Sequence, residues 1–270
     1  DAYKRPMEIY QDKAWANDLD NAGRAGFVGD NSVRYAENHD EVRVASPRHW
    51  GGHGPEVGRP VCGILFGFSR GPVMVYYGQE VGEPADVGAA GFELDKGRTT
   101  FFDYWSVPTL IQWMNNGKYD GGGLPPLNRD LHAFYGRLLN SLTHPALAQG
   151  NFIPLNPANA KNAAYNVTGE KKESGRWLYS FLRYDPVSKR SLLVVANLHP
   201  KNAASGVKLK FSEEASKFLA LAPEATLTGS DLLSEKSSSI QAPAKDLVGT
   251  GVPLPELPAL SVAYFDLSSR

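Results

Sequence analysis

Val73-Met74-Val75-Tyr76-Tyr77 is an apolar run closed by Gly71-Pro72 on one side and Gly78 on the other. A strand made from it has no polar face, so it must be covered from both sides. That is the habit of parallel strands layered between helices, whereas one-sided sheets alternate apolar and polar residues. Two features upstream fit the same architecture. Val61 to Ser69 is apolar and rich in small residues, as in a helix laid on a sheet, and residues 31 to 37, with Val33 and Tyr35, favour an extended chain. The order is strand, helix, strand, and the 31 residues from Asp40 to Gly71 match the length of one βαβ unit.

Composition narrows the functional classes. With 270 residues and 42% hydrophobic content, the chain can bury one large core or two moderate ones. A net charge of -1 offers nothing to a polyanion or an anionic bilayer, so neither nucleic acid nor membrane is expected as a partner. The single cysteine, Cys62, excludes an internal disulfide and a cysteine-based zinc site. It lies in an apolar stretch and reads as a small buried hydrophobe. No basic-then-apolar signal segment opens the chain, and the start at Asp1 reads as internal to something longer.

Both expected strands run into polar clusters. Ala36-Glu37-Asn38-His39-Asp40-Glu41 follows the first, and Gly78-Gln79-Glu80-Val81-Gly82-Glu83-Pro84 follows the second. In a parallel α/β barrel the reacting groups collect at the carboxyl ends of strands. Asn, His and Asp are also ordinary turn and cap residues, so Asn38-His39-Asp40 as a bare tripeptide specifies no chemistry.

The rest of the chain divides in two. Residues 1 to 30 read as a helix and a loop, and Ser46 to Gly58 as a glycine-rich loop carrying His49, Trp50 and His53. Ala85 to Pro126 is irregular, and Leu127 to Leu142 is an amphipathic helix with Leu131, Phe134, Tyr135, Leu138 and Leu139 at helical spacing. From Asn151 onward the texture changes to short strands. Arg176 to Tyr184 and Ser191 to Leu198 form a hairpin around Asp185-Pro186, and Val207 to Phe211, Ala225 to Thr228 and Ala259 to Leu267 are further strands. Such spacing indicates an antiparallel β-sandwich. Gly229 to Pro255, rich in Ser, Ala and Pro, is expected to cross the surface without regular structure.

With these segments in place, the chain resembles the α-amylase family, glycoside hydrolase family 13. Tyr35-Ala36-Glu37-Asn38-His39-Asp40 is similar to the family's seventh-strand signature, and Gly71 to Glu80 to its eighth-strand signature. Gly97-Arg98-Thr99-Thr100-Phe101-Phe102-Asp103-Tyr104-Trp105 resembles a segment of some bacterial relatives. The resemblance implies a fold of α/β plus all-β type. Residues 1–148 would be the C-terminal portion of a TIM (β/α)8 barrel and 149–270 an antiparallel β-sandwich.

It also implies roles. Members of the family are retaining enzymes with a carboxylate nucleophile and a separate acid. A third carboxylate, matched by Asp40, favours the positively charged transition state, and His39 would donate to the same sugar. Asn38 is expected to brace the loop, and Glu37, Glu41, Arg43, Gln79 and Glu80 to be architectural. Tyr104, Trp105 and Trp113 stand between sugar stacking and core packing. No metal or cofactor is implied, and His49 and His53, four apart, read as loop polar groups rather than ligands.

The chain departs from the family at one point of substance. The nucleophile's Arg-X-Asp and the acid Glu have no match here. Asp1 echoes the nucleophile's surroundings faintly, but 39 residues before Asp40 is too short a separation for the intervening βα units, so it is not assigned. A complete barrel needs about 250 residues. The expectation is therefore an inactive C-terminal piece of a hydrolase of starch-like α-glucans or maltooligosaccharides, whose partner is the missing N-terminal barrel portion. Transglycosylation is the close variant. A non-catalytic carbohydrate-binding or assembly module is the alternative of another class.

Overall fold

The computed structural model describes residues 4–23, 29–86, 97–100, 102, 107–170 and 174–270. Helices are few and short: α1 (Lys4–Ile9), α2 (Leu19–Gly23), α3 (Gly58–Gly67), α4 (Pro108–Met114), α5 (Pro126–Ser141), α6 (Pro145–Ala148), α7 (Asn156–Asn159) and α8 (Glu213–Leu219). The strands are β1 (Asn151–Pro154), β2 (Leu178–Tyr184), β3 (Ser191–Asn197), β4 (Lys208–Leu209), β5 (Thr226–Asp231), β6 (Ser239–Pro243), β7 (Val252–Pro253) and β8 (Ser261–Ser269).

Six strands form one sheet in the order β1-β2-β3-β8-β5-β6, and every pairing in it is antiparallel. The hairpin expected around Asp185 sets the register Tyr184↔Ser191 through Leu178↔Asn197. Asp185 closes it by accepting from the amides of Val187 (3.1 Å) and Ser188 (3.2 Å). Where a two-sheet sandwich was expected, the second sheet among the described residues is only the β4–β7 pair, and much of the remaining cover comes from helices. The central strand β3 is buried at every position, so it reads as a continuous apolar run although its neighbours are antiparallel.

Helix α3 occupies one face of this sheet. Side chains alternate along a strand, so Phe181 and Arg183 of β2 point to α3 together with Tyr264 of β8. The Tyr264 hydroxyl donates to the Gly63 carbonyl at 2.5 Å, and Arg183 donates to the carbonyls of Gly67 (2.9 Å) and Gly150 (2.6 Å). Two glycines permit this approach. A Cβ on Gly63 would stand 2.6 Å from Val262 Cγ1, and one on Gly67 2.7 Å from Phe181 Cζ. On the opposite face the Tyr165 hydroxyl bonds Asn156 Oδ1 (2.8 Å) and Ser180 Oγ (2.9 Å).

The structure revises the sequence reading in two further places. Gly229 to Pro255 does not simply cross the surface: it contains the edge strand β6, the strand β7, and the buried residues Ile240, Ala242, Leu247 and Val252. The alternation of Ser239-Ile240-Gln241-Ala242 carries a period of two that the Ser and Pro content obscured. The expected parallel strands, for their part, are reduced to one bridge, Arg34↔Val73, with Arg34 N–H donating to Pro72 O (2.8 Å) and Met74 N–H to Arg34 O (2.9 Å). Val73 to Tyr77 is half-buried rather than buried. Parallel strands are stable inside sheets covered on both faces, and among the described residues no third parallel strand flanks this pair. A barrel portion is thus not seen.

Candidate active-site loop

Because the Arg34↔Val73 bridge is parallel, both segments leave it in the same direction, and the loops beyond Tyr35 and Tyr77 lie at one end. Arg43 joins them. Its guanidinium lies 4.5 Å from the ring centre of Tyr76 and 5.0 Å from that of Tyr77, and Nε donates to Thr99 Oγ1 at 2.8 Å. Nη1 donates to Glu37 Oε1 at 2.7 Å, and the other carboxylate oxygen of Glu37 accepts the Val44 amide at 2.5 Å. Arg43 is 0% exposed and Glu37 1%. Burial pushes the Glu37 carboxyl upward, while Arg43 and the Val44 amide pull it back.

Above this buried pair the chain turns at Asn38, whose Oδ1 accepts the amides of Asp40 (2.8 Å) and Glu41 (3.0 Å). This Asx turn aims the next two side chains outward. His39 Nε2 and Asp40 Oδ2 are 3.2 Å apart, with side chains 51% and 67% exposed. The two are thus held side by side on a loop whose base is buried. A carboxylate and an imidazole so placed can bind vicinal hydroxyls, and the carboxylate can oppose positive charge developing on a ligand.

The second loop is architectural at its base. Gln79 Oε1 accepts the Tyr76 amide (3.2 Å), and Nε2 bonds Cys62 Sγ (3.0 Å) and Tyr135 OH (3.1 Å). Cys62 is fully buried, and burial pushes its thiol up to about 12, so it packs as a hydrophobe. Sequence reasoning missed Glu83: it is fully buried, and Oε2 accepts the amides of Thr109 (2.9 Å) and Leu110 (3.4 Å) at the start of α4. Burial raises its pKa, and the charge of Arg43 opposes the rise. Its place before Pro84, distant in sequence from α4, gave no cue to that partner.

His49 and His53 have separate neighbours: His49 Nδ1 lies 3.0 Å from Ser46 Oγ, and the His53 ring packs edge-on against Tyr10. Among the described residues no three His, Cys, Asp or Glu side chains converge as a metal site, and no helix is long and apolar enough to cross a membrane. Asp1, Tyr104 and Trp105 lie outside the described residues.

No protein-family model and no curated protein sequence matches the chain. Among solved structures it is similar to a Bacillus licheniformis trehalose-6-phosphate hydrolase, with a TM-score of 0.49 and 12% identity over 99% of this chain. The chain spans 46% of the length of that hydrolase. At this level of likeness the comparison carries no functional argument.

Proposed function

We propose that the chain is the C-terminal part of an α-amylase-type retaining glycoside hydrolase acting on α-glucosidic bonds of starch-like glucans or maltooligosaccharides. In this reading residues 1–148 complete a catalytic barrel and 149–270 form its C-terminal β domain. The nucleophile and the general acid come from an N-terminal barrel portion outside these 270 residues. Asp40 stabilises the oxocarbenium-like transition state, and His39 donates to a hydroxyl of the same sugar.

The observation that carries the proposal is the exposed His39–Asp40 pair, held by an Asx turn over the buried Glu37–Arg43 ion pair at the end of a parallel bridge. A surface loop with no task has little reason to bury an ion pair beneath it, since desolvating both ions offsets much of their attraction. The test is maltoheptaose hydrolysis by the complete polypeptide that carries this chain. Asp40→Asn should lower kcat by a factor of order 10³, the scale of removing one electrostatic stabiliser from a transition state. The isolated 270 residues should not turn over substrate.

A further inference from the structure

Gly97-Arg98-Thr99-Thr100 opens the third stretch that resembles amylase relatives, and it has no role in the proposed function. The fold nevertheless ties it to both candidate loops. Arg43 N–H donates to Gly97 O at 2.6 Å, Tyr76 OH to Thr99 O at 3.0 Å and Tyr77 OH to Thr100 O at 2.5 Å. The Gly97 amide in turn donates to Ala85 O at 3.1 Å. Glycine is required at that point, because φ is 120° and a Cβ would stand 2.7 Å from the His49 ring.

Thr99 is the centre of this arrangement. It is 0% exposed, and its Oγ1 accepts from two nitrogens of one guanidinium, Arg43 Nε at 2.8 Å and Nη2 at 2.5 Å. The third nitrogen, Nη1, donates to Glu37, the residue before the Asn38 turn. Arg43 is thus a link with Thr99 at one end and the base of the His39–Asp40 loop at the other. Arg43 is itself fully buried, so water does not replace a lost acceptor. Buried donors of a charged group are costly to leave unsatisfied, and without the hydroxyl the guanidinium must seek another partner.

We propose that Thr99 is a positioning residue for Asp40, fixing through Arg43 and Glu37 the orientation in which the loop presents its carboxylate to a sugar. The inference rests on the proposed function and adds to it the residue that sets the loop's geometry. If position 99 only had to be filled, valine would serve. A hydroxyl shared by two nitrogens of a buried guanidinium specifies an orientation of Arg43, and Arg43 then specifies the placement of Glu37. Supporting contacts of this kind hold a reacting group to within about 0.5 Å of its productive place.

The experiment is maltoheptaose hydrolysis by the complete polypeptide that carries this chain. We compare kcat, KM and the unfolding midpoint of the parent, Thr99→Val, Thr99→Ser, Tyr76→Phe and Asp40→Asn. Thr99→Val keeps the branched shape and loses the acceptor. Its kcat should fall by about one to two orders of magnitude, the scale of displacing a reacting group by up to about 1 Å, with KM little changed. Thr99→Ser, which returns the hydroxyl, should recover most of that loss. Tyr76→Phe, which frees the Thr99 carbonyl, should lower kcat in the same direction, and it decides the matter if Thr99→Val does not fold.

A threonine with a purely structural role would lower the midpoint and leave kcat of the folded enzyme intact. That result, or a kcat in Thr99→Ser as low as in Thr99→Val, overturns the positioning role while the loss in Asp40→Asn leaves the proposed function standing. Equal hydrolysis by the parent and Asp40→Asn overturns the proposed function, and this inference with it.

Discussion

Arg43 and Glu37 face each other at 2.7 Å with essentially no solvent contact, directly beneath the loop that presents Asp40. Removing one partner leaves the other charge buried and alone. Arg43→Met should therefore destabilise the chain by about 3–5 kcal/mol, read as a fall in the urea midpoint. Adding Glu37→Leu should restore a large part of that, because the orphaned carboxylate is then gone. A loss below about 1 kcal/mol in Arg43→Met would mean that the loop does not depend on this pair.

The contact of α3 with the sheet yields a prediction whose sign needs two magnitudes. Gly63→Ala gains helix propensity, worth at most about 1 kcal/mol. Its new methyl would stand 2.6 Å from Val262 Cγ1, on a β-branched side chain with little rotamer freedom. Overpacking of this kind costs about 1–3 kcal/mol. The net effect is a lower melting temperature, and a Gly63→Ala variant that melts higher would contradict the packing described here.

His199 links stability to pH. Burial, the largest influence, holds its pKa below the ordinary 6.5, against the opposing pull of Glu170. Nδ1 accepts the amides of Lys201 (3.0 Å) and Asn202 (2.8 Å), so a proton on that nitrogen breaks both bonds. With the folded pKa below the unfolded one, the unfolded chain binds more protons in the interval between them. The contribution is complete above the unfolded value near 6.5 and declines as pH falls towards the folded value. Urea midpoints taken from pH 7.5 to 5 should show that decline. His199→Asn, which keeps an acceptor near the Nδ1 position but does not titrate, should flatten it, and an unchanged slope would assign the decline to other groups.

The residues that were legible in the sequence have local causes. The β2–β3 hairpin follows from the apolar runs around Asp185-Pro186, and α5 from its apolar stripe, although Leu139 falls on the exposed side. Asn38 as a loop brace and Gln79 as an architectural residue could be read from turn chemistry and position. What could not be read depends on partners distant in sequence. Arg43 reaches Thr99, Glu83 caps α4, and α3 lies against a sheet whose strands begin about a hundred residues later. The pattern of Val61 to Ser69 shows that a helix must cover something, but not that the covered surface is antiparallel. Val73 to Tyr77 reads as a strand buried on both faces, yet here it is half-buried beside a single parallel neighbour.

The central claim is that the exposed Asp40 works on a bound sugar and does not support the fold. The most direct measurement is kcat for maltoheptaose hydrolysis by the complete polypeptide, parent against Asp40→Asn, with the unfolding midpoint of each. The account predicts a loss of order 10³ in kcat at an unchanged midpoint. A complete polypeptide whose Asp40→Asn variant keeps its activity within twofold would contradict it.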